Sequence, residues 1–200
     1  PIHPNSDLFY VSGIEQEESI LVLFPDCPNP RHREILFLRE PSEHLKIWEG
    51  YKHSKEDAQK ISGIQTIYWT NDFDNIFQLL AAEAETFFLN DNEHSRAANK
   101  VETRDQRFNK KIRLDYPLHK TDRLAPHLHP LRFCKNPLEV KQIKRAIDVT
   151  ALGFRRVLKM VKPGVTEYEI EAEWAKEFIK RRCKFAYTPI IASGDNACVL

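Results

Sequence analysis

The sequence predicts an α/β protein, and three observations carry that prediction. Short runs rich in β-branched and aromatic residues recur through the first ninety positions. Helical segments with N-cap residues and apolar stripes alternate with them. Gly-, Pro- and Asn-rich stretches such as "PDCPNPRH" punctuate the boundaries. Strand–helix alternation of this kind suits a mixed sheet flanked by helices.

Taken in order, "DLFYVSG", "SILVLFP" and "EILFLRE" read as three neighbouring strands of a meander. "SKEDAQKISG" then reads as a short helix. Ser54 is its N-cap, acids fill the first turn, and Gly63 stands just past the end. "QTIYW" reads as a strand, "NDFDNIFQLLAAEA" as a capped amphipathic helix and "ETFFLN" as another strand. From Val101 to Leu114 the chain is charge-rich, with apolar residues at Val101, Phe108 and Ile112, which predicts a surface helix.

Residues 104–123 hold seven basic residues (Arg104, Arg107, Lys110, Lys111, Arg113, Lys120, Arg123) against three acids (Asp105, Asp115, Asp122). A solvated helix face is the preferred reading over a phosphate-binding patch. Four prolines between Pro117 and Pro137 and the lack of periodicity place a linker at 117–135, between a domain at 1–116 and a second at 136–200. His127 and His129 form a His-x-His in that linker. Two imidazoles are too few for a closed metal site, so an ordinary loop is expected.

Asn136 as N-cap, Pro137 at the first helical position and Glu139 closing a capping box predict a long helix. Val140, Ile143, Ile147, Ala151, Phe154, Leu158 and Val161 give it one apolar stripe, and Pro163-Gly164 stops it. Thr166 and Glu169 open a second helix with Ile170, Trp174 and Phe178 stacked along it. The last stretch, "FAYTPIIASGDNACVL", reads as one and a half strands around a Ser-Gly-Asp-Asn turn, an interrupted hairpin. Two helices with so little sheet amount to a helix layer whose sheet is missing, and both chain ends are expected to be trimmed.

Composition excludes several classes. Thirty basic residues against 29 acids leave a formal net charge of +1, too balanced for a nucleic-acid or anionic-membrane binder. Hydrophobic content of 42% with 10% aromatics lies far from the disordered regime. The longest apolar run, Ile20 to Phe24, falls far short of the roughly 20 residues that cross a bilayer. With no signal-like opening, a cytoplasmic protein is expected. Cys27, Cys134, Cys183 and Cys198 are scattered without metal-ligand spacing and read as reduced thiols.

The blocks "KNPLEVKQIKRAIDVTALGFRRVL", "KPGVTEYEIEAE" and "FAYTPIIASGDNACVL" resemble the start of the pita-bread catalytic domain of the creatinase/prolidase metallopeptidases. "NSDLFYVSGIEQEESILVLFPD" and "FLREPSEHLKIWEG" resemble the amino-terminal α/β domain of the aminopeptidase P branch, the Xaa-Pro aminopeptidases. The resemblance implies a creatinase/prolidase-type N-terminal domain followed by an incomplete pita-bread α+β domain. It implies hydrolysis that releases the residue preceding a proline, with two divalent ions, manganese, held by two Asp, one His and two Glu. In the family pattern all five ligands lie beyond Leu200, so the resemblance assigns no catalytic or metal residue here, and residues 1–200 alone are expected to be inactive. The residue after Leu200 is expected to be a substrate-binding His.

Two pocket candidates follow from the resemblance. Tyr187 matches the position that lines the metal pocket, and Trp48 matches the tryptophan one subunit lends to its neighbour's site, which implies a homo-oligomer, a dimer or tetramer. Two departures stand out. Ile2, His3 and Pro4 replace an aromatic-Arg-Gln run, and Arg182 stands where a Gly often ends the second helix. A prolidase acting on Xaa-Pro dipeptides, or a non-catalytic pita-bread homologue that binds protein partners, remains open as an alternative.

Overall fold

The computed structural model describes residues 5–94 and 101–199, and the chain divides into two compact units, 1–133 and 134–200. The departure at Ile2, His3 and Pro4, and the terminal Leu200, lie outside the described residues.

The first unit is built on β2 (Glu34–Leu38). It pairs antiparallel with β1 (Ile20–Leu23) and parallel with β3 (Thr66–Trp69), in the order β1-β2-β3. Side chains alternate across a strand. Leu36 and Leu38 therefore pack with Ile14, Ala58, Ile64 and Ile67 on one face, while Ile35 and Phe37 pack with Cys27, Phe73 and Leu80 on the other. Ile35 to Leu38, four of the five β2 residues, are fully buried. An unbroken apolar run is what a strand covered on both faces requires.

"DLFYVSG", expected as a strand, is instead helix α1 (Ser6–Ser12). Asn5 Oδ1 accepts from the amides of Asp7 (2.8 Å) and Leu8 (3.3 Å), and Gly13, at φ +68°, donates its N–H to Phe9 O at 2.8 Å. Caps at both ends outweigh the β preference of Phe-Tyr-Val. The meander is accordingly reduced to the β1–β2 pair. β3 returns parallel to β2 through α2 (Glu43–Glu49) and α3 (Lys55–Ser62), since parallel strands need a crossover. Ser54 and Gly63 cap α3 as the sequence predicts.

Helix α4 (Phe73–Ala81) leads to β4 (Thr86–Leu89), and α5 (Arg104–Asp115) follows with a Thr103/Gln106 capping box. Phe73, Phe77, Phe87, Phe108 and Tyr116 form a continuous aromatic cluster with neighbouring centroids 5.2–5.9 Å apart. The stretch 117–135, expected as a linker, carries β5 (Lys120–Arg123) and α6 (Ala125–Phe133). β5 has no apolar signal because its contribution is backbone pairing: it lies parallel to β4, Phe87 opposite Thr121. The division of the chain falls after α6, between Phe133 and Cys134. His127 and His129 are therefore helical, not loop, residues.

The second unit starts with α7 (Pro137–Met160). Asn136 Oδ1 accepts from Leu138 and Glu139 N–H while Glu139 reaches back to Asn136 N. The chain turns at Gly164, φ +93°, into α8 (Glu167–Lys180). The face of α7 that is buried is Val149, Gly153 and Val157, not the long apolar stripe. Val140, Ile143, Ile147, Phe154, Leu158 and Val161 all remain between 38% and 62% exposed. Small residues let α8 approach closely on one side, and one helix has too little surface to cover both. The interrupted hairpin is not formed. Residues 183–199 contain no strand, only a 3-10 turn at Gly194–Cys198. A strand takes its hydrogen bonds from a neighbour, and an isolated hairpin is marginal.

Candidate functional site

Trp48 sits on α2 and is 76% exposed, flanked by the equally exposed Ile47 and by Tyr51. Ionic contacts brace the C-terminal end of this helix. Glu49, the residue after Trp48, accepts from Arg39 at 3.0 Å and pairs with Lys52 at 3.3 Å. Lys52 is buried and also donates to Glu17, which lies 3.6 Å from Arg39. Two cations thus join the loop before β1, the end of β2 and the α2–α3 turn. Gln16, itself buried, adds a bond from His53 N–H to its Oε1 at 2.8 Å. Burial, the largest single effect, opposes charge on both members of the Glu17–Lys52 pair, but their mutual hydrogen bond, further hydrogen bonds and the attraction of Arg39 and Glu49 together outweigh it. The Glu17 carboxyl is held below its ordinary value and the Lys52 ammonium above its own.

Tyr187 follows α8 and is 76% exposed. Its segment is fixed on one side by Phe185, whose ring packs on Phe178 at 4.8 Å. On the other side, Glu167 Oε1 accepts from Ser193 N (2.7 Å), Ser193 Oγ (3.1 Å) and Asn196 Nδ2 (3.4 Å). In the sequence Glu167 is only an acid beside a helix cap. Its partners lie 26 and 29 residues on, and no local spacing signals them. Arg182, flagged in the sequence, adopts φ +57°. Arg182 N–H bonds Ile179 O and Cys183 N–H bonds Phe178 O, so α8 ends in a Schellman motif with Arg where Gly is favoured.

Among the described residues no three His, Cys, Asp or Glu side chains converge as metal donors. His127 meets the edge of Phe88 at 4.7 Å. Three of the seven basic residues of the stretch are paired with acids, and a fourth donates to a backbone carbonyl. Lys110 pairs with Glu102, Lys111 with Asp74 and Arg123 with Glu93, and Arg107 donates to Glu102 O. An open cleft of about 690 Å³ beside these residues is lined by both signs of charge, Asp91, Glu93 and Asp122 against Lys110, Arg113 and Arg123. That lining matches a solvated ionic face. No described helix is long and apolar enough to cross a membrane.

Comparison with known proteins divides along the same lines. Residues 1–88 match the family model of the aminopeptidase P N-terminal domain, and residues 141–200 match metallopeptidase family M24. The chain is 28% identical to the Xaa-Pro aminopeptidase of Escherichia coli K12, over 100% of this chain and 46% of that protein. It is 25% identical to the Haemophilus influenzae enzyme of the same name, over 100% and 44%. Among solved structures, a Bacillus anthracis protein provisionally called an aminopeptidase P superposes with a TM-score of 0.85 at 31% identity, covering 100% of this chain and 47% of that one. The Pseudomonas aeruginosa aminopeptidase PepP gives 0.83 at 27%, covering 100% and 45%. The chain thus spans a little under half the length of these relatives.

Proposed function

We propose that this chain, whose residues 1–88 match the aminopeptidase P N-terminal domain and whose residues 141–200 match metallopeptidase family M24, belongs to an aminopeptidase P that releases the amino-terminal residue of peptides whose second residue is proline. The observation that carries this reading is the order of two independent family matches along one chain, together with similarity over its whole length to proteins named Xaa-Pro aminopeptidase.

In this reading the catalytic ions, two divalent metals and specifically manganese, are held by two Asp, one His and two Glu outside residues 1–200. These residues supply the surroundings of the site. Tyr187 forms part of the pocket wall. Trp48 reaches the site mouth of a neighbouring subunit in a homo-oligomer, which suits a large indole left exposed on a helix braced by Glu49, Arg39 and Lys52. Residues 1–133 restrict access to short, flexible peptides, and the enzyme works in the cytoplasm.

The test is length discrimination by the intact protein. Incubation with an Xaa-Pro dipeptide and with an Xaa-Pro-Xaa tripeptide should release the first residue from the tripeptide. Cleavage confined to the dipeptide would make the protein a prolidase instead. Absence of cleavage from both would favour a protein-binding role for the pita-bread domain.

A further inference from the structure

We infer that Glu167 is a positioning residue for the pocket wall that carries Tyr187, an inference that rests on the proposed function above. Glu167 is the first residue of α8, and its Oε1 gathers three donors from the 193–196 turn, at 2.7, 3.1 and 3.4 Å. Two contacts flank the segment that carries Tyr187. Phe185 packs on Phe178 before Tyr187, and Glu167 clasps Ser193 and Asn196 after it.

The chemistry of the clasp favours an ionised carboxylate. The Ser193 amide, then the Asn196 side-chain amide, then the Ser193 hydroxyl all donate to it and hold the Glu167 carboxyl below its ordinary value. Thr166 caps α8 without using Glu167, because the bond back to Thr166 N–H comes from Glu169 at 2.8 Å. Loss of the Glu167 side chain therefore removes the clasp and leaves the helix start intact. The inner anchor, Phe185 on Phe178, is apolar and independent of it.

The experiment uses the intact, metal-loaded protein with Glu167→Ala and Glu167→Gln, reading Ser193 amide exchange together with kcat and KM on an Xaa-Pro tripeptide. Losing three charge-assisted bonds should speed Ser193 exchange about tenfold and raise KM about tenfold, with kcat changed less than about twofold. Glu167→Gln retains an acceptor oxygen and should recover most of both effects. Unchanged exchange and KM in Glu167→Ala would overturn the inference. So would a Gln variant as impaired as Ala with kcat falling in step, because that marks general damage to the fold. A wild-type protein that does not cleave the tripeptide overturns the functional reading, and with it the positioning role for that reaction. The clasp itself is then judged by Ser193 exchange, and an unchanged rate in Glu167→Ala refutes it.

Discussion

Gly153 of α7 lies flat against the indole of Trp174 on α8: a Cβ built at Gly153 would stand 2.7 Å from Trp174 Cε3 and 3.0 Å from Cζ3. The helix pair of the second unit is set at this contact. Phe154 and Phe178 flank the same indole, with centroids at 6.3 and 5.7 Å. The indole therefore has little room to withdraw.

Gly153→Ala should consequently destabilise the second unit, although alanine is the better helix former by about 1 kcal/mol. Overpacking of this kind costs about 1–3 kcal/mol, so a net loss of up to about 2 kcal/mol is expected in chemical denaturation. A variant as stable as the wild type would mean that Trp174 moves aside freely.

Arg182→Gly should act in the opposite direction. Arg182 holds φ +57° at the left-handed position of the α8 Schellman motif, where a Cβ is penalised. Relief of about 1 kcal/mol is expected, seen as a higher unfolding midpoint at unchanged slope.

Lys52→Ala should destabilise the first unit by about 1–2 kcal/mol, a value reduced by the partial exposure of Glu17 and Glu49. The sign with pH follows from the two shifts. The Glu17 carboxyl is lowered in the folded protein, so its contribution is complete above the ordinary value of 4.5 and is lost as pH falls through the depressed one. The Lys52 ammonium is raised, so its contribution is complete below 10.5 and is lost as pH rises through the elevated value. The difference between wild type and variant should therefore be flat from pH 4.5 to 10.5 and shrink outside that range, as read from denaturation at a series of pH values.

Trp48→Ala should leave the stability of the first unit within about 0.5 kcal/mol, since the indole is 76% exposed. In the intact protein it should raise KM for an Xaa-Pro tripeptide several-fold. An unaltered KM would remove Trp48 from the site mouth.

The readability of these features in the sequence follows the range of the forces involved. Strand β2, helix α3 and the start of α7 are legible because a buried apolar run, a Ser-to-Gly frame and an Asn-Pro-x-Glu cap act within a few residues. Helix α1 misleads because Phe-Tyr-Val favours strands, while the Asn5 and Gly13 caps that decide it lie just outside the run. β5 is hidden because "KTDR" contributes only backbone to a strand more than thirty residues earlier. Trp48 and Tyr187 stand out through family resemblance, not through periodicity. Glu167 gives no local signal because its partners are distant in sequence. The exposed apolar stripe of α7 is the reverse case: clear in the sequence, and not covered by α8.

The most direct measurement compares two peptides that differ only at the second residue, Pro or Ala, with the intact protein before and after removal of divalent ions. Release of the first residue from the Pro peptide alone, abolished by chelation and restored by manganese, is the predicted result. Equal cleavage of the Ala peptide, or undiminished cleavage of the Pro peptide without divalent ions, would contradict an Xaa-Pro aminopeptidase.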